Sequence, residues 1–198
     1  MFFDVDEFLT LVQEDDIHEF LNSERYSGFD MIHINWICYG DNDLVFYEDK
    51  PVMERFTLPV TPFTFNVTYP TIPENAMIKS IVKTKGKSVK WFNERDCGTM
   101  HTPCCKGLTC CNEAGNVIED YCMSFYPSMS YKYAYIKHFY TKTIEEYATK
   151  TLRGYANTSW SIEEIKKKHY NLDKFFKYSE ETSLKKYVYE KTIEKIET

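Results

Sequence analysis

The chain has 198 residues, of which 43% are hydrophobic and 17% aromatic, enough for one domain with a sizeable core and too apolar for a disordered polypeptide. Its net charge of −6, with Lys and Glu mixed along most of the length, argues against nucleic-acid binding as the main task. No basic stretch leads into an apolar segment and no apolar run reaches about 18 residues, so neither secretion nor membrane spanning is signalled and the expected compartment is the cytoplasm.

The opening residues, Met1 to Leu9, read as a strand in which Phe3, Val5 and Phe8 pack inward while Asp4 and Asp6, two apart, project to one side. Two carboxylates on one side suit a hard divalent cation that could neutralise a departing diphosphate; an acidic turn after a strand is the plainer alternative. Asp15 to Leu21 reads as a short helix with acids in its first turn, broken at Ser27-Gly28. Phe29 to Tyr39 is too apolar for a solvated edge and belongs at the centre of a sheet. It ends in the acidic turn Gly40-Asp41-Asn42-Asp43, a second candidate site because ligands gather at strand ends in open α/β sheets.

Lys50 to Phe56 looks like a helical turn with proline first, and Thr57 to Pro73, with four prolines, like an extended surface loop. Met77 to Lys83 reads as a strand. From Trp91 to Asn116 periodicity fails, and this stretch holds Cys97, Cys104, Cys105, Cys110 and Cys111 of the seven cysteines. With Cys38 and Cys122 the number is odd and no secretion signal accompanies it, so reduced thiols are expected. Tyr131 to Tyr140 is an aromatic strand carrying His138, followed by a helix to Leu152 that stops at Arg153-Gly154. The last segment has a capping signal at Ser161-Ile162-Glu163-Glu164 and two amphipathic helical patterns, one through Ile162, Ile165 and His169, the other through Leu184, Tyr187, Val188 and Ile196. Its charges nearly balance; a peripheral membrane contact is compatible with it but not required. Dinucleotide, P-loop, zincin and nucleophile-elbow motifs are all absent from the sequence.

Four pieces stand in order: Phe3-Asp4-Val5-Asp6-Glu7-Phe8; Asn35-Trp36-Ile37-Cys38-Tyr39-Gly40-Asp41-Asn42; Ile78-Lys79-Ser80-Ile81-Val82-Lys83 leading to His101-Thr102-Pro103; and Ile136-Lys137-His138-Phe139-Tyr140-Thr141-Lys142-Thr143-Ile144-Glu145-Glu146-Tyr147 with Lys150 and Arg153-Gly154. Together, over about residues 2 to 155, they resemble the bacterial glycosyltransferases of family 92, GT-A enzymes related to family 2. The likeness lies in the ordered set, since each motif alone is weak.

The resemblance implies an α/β fold: the C-terminal part of a GT-A (Rossmann-like) domain with a mixed sheet over residues 1–155, then a helical extension over 156–198. The nucleotide-binding half that precedes the D-x-D pair in GT-A enzymes is not in this sequence, so a fragment or a truncated gene product is expected, with reduced donor affinity. The implied activity is transfer of a sugar from a nucleotide-sugar donor to a glycan or lipid-linked acceptor, in work such as lipopolysaccharide or capsule synthesis, with inversion, in the cytoplasm or at the inner face of the membrane. Asp4 and Asp6 would reach Mn²⁺ or Mg²⁺ and the donor's ribose and diphosphate, Asp6 as the direct ligand, and His138 would complete the ion's coordination. An inverting transfer needs a base for the acceptor hydroxyl. Asp41 is the candidate, Asp43 is close enough to serve instead, and a plain turn aspartate is the alternative for either. His101 would line the acceptor or phosphate side, and Trp36 is expected in the core.

A reading from a different class is a non-catalytic Cys/His module that holds zinc and a partner through Cys97, His101, Cys104, Cys105, Cys110 and Cys111. Thiolate and imidazole are zinc's usual ligands, but the spacing lacks the usual C-x2-C pair, and loop thiols are the plainer alternative.

Overall fold

The structure is a computed structural model that describes residues 1–60, 73–84, 101–103, 107–119, 129–153, 161, 163–164 and 171–197. Among these the chain is α/β, with a mixed sheet of six strands and five α-helices. It divides into two compact units, Met1–Ile37 with Pro62–His138, and Cys38–Thr61 with Phe139–Thr198. The units therefore cut the chain at residues 37, 61 and 138, where a single boundary near 155 is expected from the sequence.

The first unit carries the sheet. Its strands are β1 (Glu7–Leu11), β2 (Met31–Cys38, whose last residue falls in the second unit), β3 (Ile78–Val82), β4 (Cys110–Asn112), β5 (Val117–Ile118) and β6 (Ala134–His138). The order is β1-β6-β2-β4-β5, with β3 also on β2. β1 runs antiparallel to β6, β3 to β2 and β5 to β4, while β4 is parallel to β2. Every residue of β2 is buried, as its unbroken apolar run requires of a central strand. Ile32, Ile34, Ala134, Ile136, Phe20 and Cys111 form the main core, with Leu9 and Leu11 packed on it. The helix α1 (Ile17–Asn22) starts where expected, because the Asp16 carboxylate accepts from the N–H groups of His18 at 2.7 Å and Glu19 at 3.0 Å. The fully buried Glu113 accepts from three successive N–H groups, of Lys132, Tyr133 and Ala134, at 3.1, 2.7 and 3.2 Å, and so fixes the approach to β6.

The opening strand begins later than the sequence suggests. Asp4 to Glu7 forms a turn, with the Glu7 N–H bonded to the Asp4 carbonyl at 3.1 Å, and Phe3 and Val5, expected inside, are exposed. The aperiodic stretch also hides a hairpin, β4 and β5 joined through Gly115 at φ 80°. Strands of three and two residues are too short to show an alternation.

The second unit holds α2 (Val52–Arg55), α3 (Ile144–Arg153), α4 (Leu172–Phe175) and α5 (Ser183–Glu197), with α5 packed on α3. Thr143 and Glu146 form a reciprocal capping box at the start of α3, the Thr143 Oγ1 accepting from the Glu146 N–H at 3.1 Å and Glu146 Oε2 from the Thr143 N–H at 3.3 Å. Arg55 then clamps Glu146 with two bonds, at 2.7 and 3.0 Å. Burial tends to raise the Glu146 pKa, but Arg55 and Thr143 outweigh it and hold the carboxyl below its ordinary range. The last helix shows a different face from the expected one. Leu184 and Tyr187 are exposed, while Lys185 and Val188 are buried. The helix is turned by about one residue, because Lys185 goes inward to meet a buried carboxylate, which hydrophobic periodicity does not register. Ile162, Ile165 and His169 of the other pattern lie outside the described residues.

No helix among the described residues is long and apolar enough to cross a membrane.

Candidate functional site

Directly opposed residues of an antiparallel pair share one face of the sheet. Between β1 and β6 the opposed pairs include Glu7 with His138, Leu9 with Ile136 and Leu11 with Ala134. Between β2 and β3 they include Ile32 with Ile81 and Ile34 with Lys79. Trp36 lies two residues beyond Ile34, on the same face, and its N–H bonds the Met77 carbonyl at 3.0 Å. One face of the sheet is thus apolar along most of its length and polar at one end, where Glu7, His138, Trp36 and Lys79 meet.

The acidic turn closes on this end. The Lys79 ammonium, 2% exposed, stands 3.1 Å from a Glu7 oxygen and 3.1 Å from Asp4 Oδ2. The same Glu7 oxygen accepts from the Asp4 N–H at 2.9 Å. Burial pushes the Glu7 carboxyl up to about 7, against the opposing pull of the Asp4 N–H and Lys79. Asp6 points elsewhere, its Oδ1 lying 3.9 Å from His138 Nε2, with both side chains largely buried. The Trp36 indole stands against two imidazoles, 4.0 Å from the His138 ring centroid and 5.1 Å from that of His101.

His101 arrives from a separate segment that is pinned to β3. Its carbonyl accepts from the Ser80 N–H at 3.0 Å, and Ser80 Oγ bonds Thr102 Oγ1 at 2.7 Å and the fully buried His33 Nδ1 at 2.7 Å. His101 Nδ1 bonds the Ile78 carbonyl at 3.2 Å. A carbonyl only accepts, so the ring proton is on Nδ1. Burial, then the nearby Lys79 charge, holds this imidazole down at about 4, so it is neutral at pH 7. Among the described residues, Glu7 Oε1 and Trp36 Nε1 are both buried at this end without a hydrogen-bond partner, an arrangement that costs about 1–3 kcal/mol for each such group.

Sequence reasoning and geometry differ over the acidic pair. Asp4 and Asp6 lie in a turn and not in a pleated strand, and they take different partners: Asp4 pairs with Lys79 and Asp6 approaches His138. The pairing of Asp6 with His138 is the part of the expected constellation that the fold brings together, and His101 joins it through Trp36. Glu7 and Lys79 are the members that the sequence did not single out. Their only signal was chemical, an acid opening one strand and a lysine among apolar residues in another; the register that joins them is not legible locally.

Asp41 and Asp43 belong to the second unit. Asp41 is buried and saturated: its Oδ2 lies 2.8 Å from Lys185 Nζ and accepts from Ser179 Oγ at 2.7 Å, and its Oδ1 accepts from the Asp43 N–H at 3.2 Å. Asp41, the expected base, is thus held by a buried lysine and a serine hydroxyl. Asp43, 3.3 Å from the same ammonium, keeps a side chain that is 79% exposed. Asn42 and Asp43 both have left-handed backbones, at φ 50° and 60°, supported by the Asn42 side chain, which donates to Thr57 Oγ1 at 3.0 Å and accepts from the Leu58 N–H at 3.2 Å.

No family model, curated protein or solved structure matches the chain.

The zinc constellation is not assembled among the described residues, where no group of three or more His, Cys, Asp or Glu side chains is placed to hold an ion by itself. Cys97, Cys104 and Cys105 lie outside the described residues. Cys110 and Cys111 are not loop thiols: they are consecutive in β4 and enter different clusters, Cys111 beside Ile32 and Ile34, Cys110 beside Met31 and Ile118. Burial pushes the Cys111 thiol up to about 12, far from the thiolate that zinc requires.

Proposed function

We propose that this chain carries the donor-side metal site of a GT-A glycosyltransferase of the family 92 type, transferring a sugar from a nucleotide-sugar donor to a glycan or lipid-linked acceptor. The observation that carries the reading is the approach of Asp6 Oδ1 to His138 Nε2, 3.9 Å apart with both side chains largely buried. Cis ligands of one octahedral ion with bonds of about 2.1 Å lie about 3.0 Å apart, so a closure of about 1 Å would let one Mg²⁺ or Mn²⁺ take both atoms. Carboxylate with imidazole is a donor set that Mn²⁺ accepts, and a site with few protein ligands suits an ion that shares its sphere with substrate phosphates and water. Asp6 and His138 would hold the ion. When bound, it supplies charge neutralisation to the departing diphosphate.

The chain's own groups account for the surroundings. Trp36 packs against the His138 ring and fixes its plane. The buried Lys79 contacts Asp4 and Glu7, and the neutral His101 adds no charge beside it.

The test is Mn²⁺-dependent release of nucleoside diphosphate from a panel of nucleotide sugars, with and without oligosaccharide acceptors. Release by the native chain that disappears in both Asp6→Asn and His138→Ala supports the reading. Release that survives both substitutions refutes it.

A further inference from the structure

The Lys79 ammonium has two carboxylate partners that differ in kind. Glu7 is wholly buried and fixed by the Asp4 N–H. The Asp4 side chain is 63% exposed and meets Lys79 through Oδ2 alone. An exposed carboxylate gains little from such a pair, because water competes for both ions and the side chain loses freedom in holding one geometry. The buried ammonium, by contrast, always needs oxygens around it. The contact is therefore exchangeable from the Asp4 side only.

A second observation points to what could replace it. Trp36 and Lys79 are diagonal neighbours on one face of the β2–β3 pair, within reach of each other's long side chains. Trp36 is 6% exposed and, among the described residues, its Nε1–H has no acceptor. Buried donors are ordinarily satisfied, so one left without an acceptor beside an exchangeable ion pair fits a group that supplies several oxygens at once. Asp4 satisfies the ammonium and leaves the indole unsatisfied.

We propose that Lys79 Nζ and Trp36 Nε1 form an oxyanion subsite, that Asp4 is its displaceable occupant in the free protein, and that the incoming oxyanion is a phosphoryl group. The proposal rests on the nucleotide-sugar reading for the source of that phosphate, while the subsite itself is open to test without any sugar donor. It gives Asp4 a role different from that of Asp6: a plug on the anion's seat, where Asp6 faces the cation's.

The experiment is calorimetric titration of the full chain with inorganic pyrophosphate in MgCl₂, comparing native protein with Asp4→Asn, Trp36→Phe, Lys79→Gln and Asp6→Asn. Removing the competing charge in Asp4→Asn is expected to tighten pyrophosphate binding about tenfold, and removing the donor in Trp36→Phe to weaken it by about the same factor. Lys79→Gln leaves Glu7 buried without its cation and can fail to fold, so the decision rests on Trp36→Phe and Asp4→Asn, each confirmed as folded by its melting curve. Weaker binding in Asp4→Asn, matching that in Asp6→Asn, would overturn the proposal by making Asp4 a cation ligand. Unchanged binding in Trp36→Phe, or no binding of pyrophosphate to the native chain, overturns it as well. If pyrophosphate binds with the expected ranking while no nucleotide sugar is turned over, the subsite stands and the transferase reading falls.

Discussion

Glu7 and His101, both close to Lys79, make opposite contributions to stability over nearly the same pH range. The Glu7 carboxyl is raised from 4.5 to about 7, so between those values the folded protein keeps a proton that the unfolded chain has released, and stability falls as pH rises. His101 is lowered from 6.5 to about 4, so between those values the unfolded chain holds a proton that the folded protein lacks, and stability rises with pH. At about 1.36 kcal/mol per unit for one proton, each contribution changes by roughly 2–3 kcal/mol across the shared window, nearer 2 for the half-buried His101, and the two largely cancel. Each single substitution should therefore unmask the other group. Urea unfolding of Glu7→Gln, measured from pH 4.5 to 6.5, is expected to gain stability relative to native protein by about 2 kcal/mol as pH rises. His101→Gln should lose about as much over the same range. If both variants run parallel to the native curve, the buried cluster is not as described.

In the second unit, Lys185→Met should cost about 3–5 kcal/mol, because it leaves Asp41 buried without its cation, and should lower the melting temperature by roughly 10 °C. Adding Asp41→Leu should recover most of that loss, whereas an exposed, weak pair would show neither effect. Asp16→Ala removes the oxygen that caps α1 and should cost about 1 kcal/mol in urea unfolding. Gly115→Ala should destabilise by more than that: its φ is 80° and a Cβ there would stand 2.8 Å from the Arg25 carbonyl oxygen.

What the sequence disclosed depended on how local the cause was. β2 and β6 were visible because long apolar or aromatic runs announce buried strands, and α1 and α3 because their caps and periodicity lie within one segment. The first strand was misplaced for a non-local reason. Asp4 to Glu7 leaves the extended conformation, which brings the buried Glu7 onto the buried Lys79, and the pleat that would have put Asp4 beside Asp6 does not exist there. The same cause turned α5, where Lys185 goes inward to the buried Asp41, 2.8 Å away, against the hydrophobic pattern. Buried ion pairs thus decided both departures, and such pairs leave no periodic trace. The link of Asp6 with His138 is expected only through the family resemblance, whereas Lys79 and Glu7 come to this end through strand register, which no local pattern shows.

The proposed sharing of one divalent ion by Asp6, His138 and a nucleoside diphosphate is tested by thermal melting of the full chain with Mn²⁺ alone, with uridine or guanosine diphosphate alone, and with both together. At ligand near 100 times its dissociation constant the stabilisation is about 2.7 kcal/mol, or roughly 5–10 °C for a chain of this size. The expected result is a shift with ion and nucleotide together that exceeds the sum of the separate shifts and vanishes in Asp6→Asn and in His138→Ala. A combined shift no greater than that sum, or one that persists in both variants, would contradict the account.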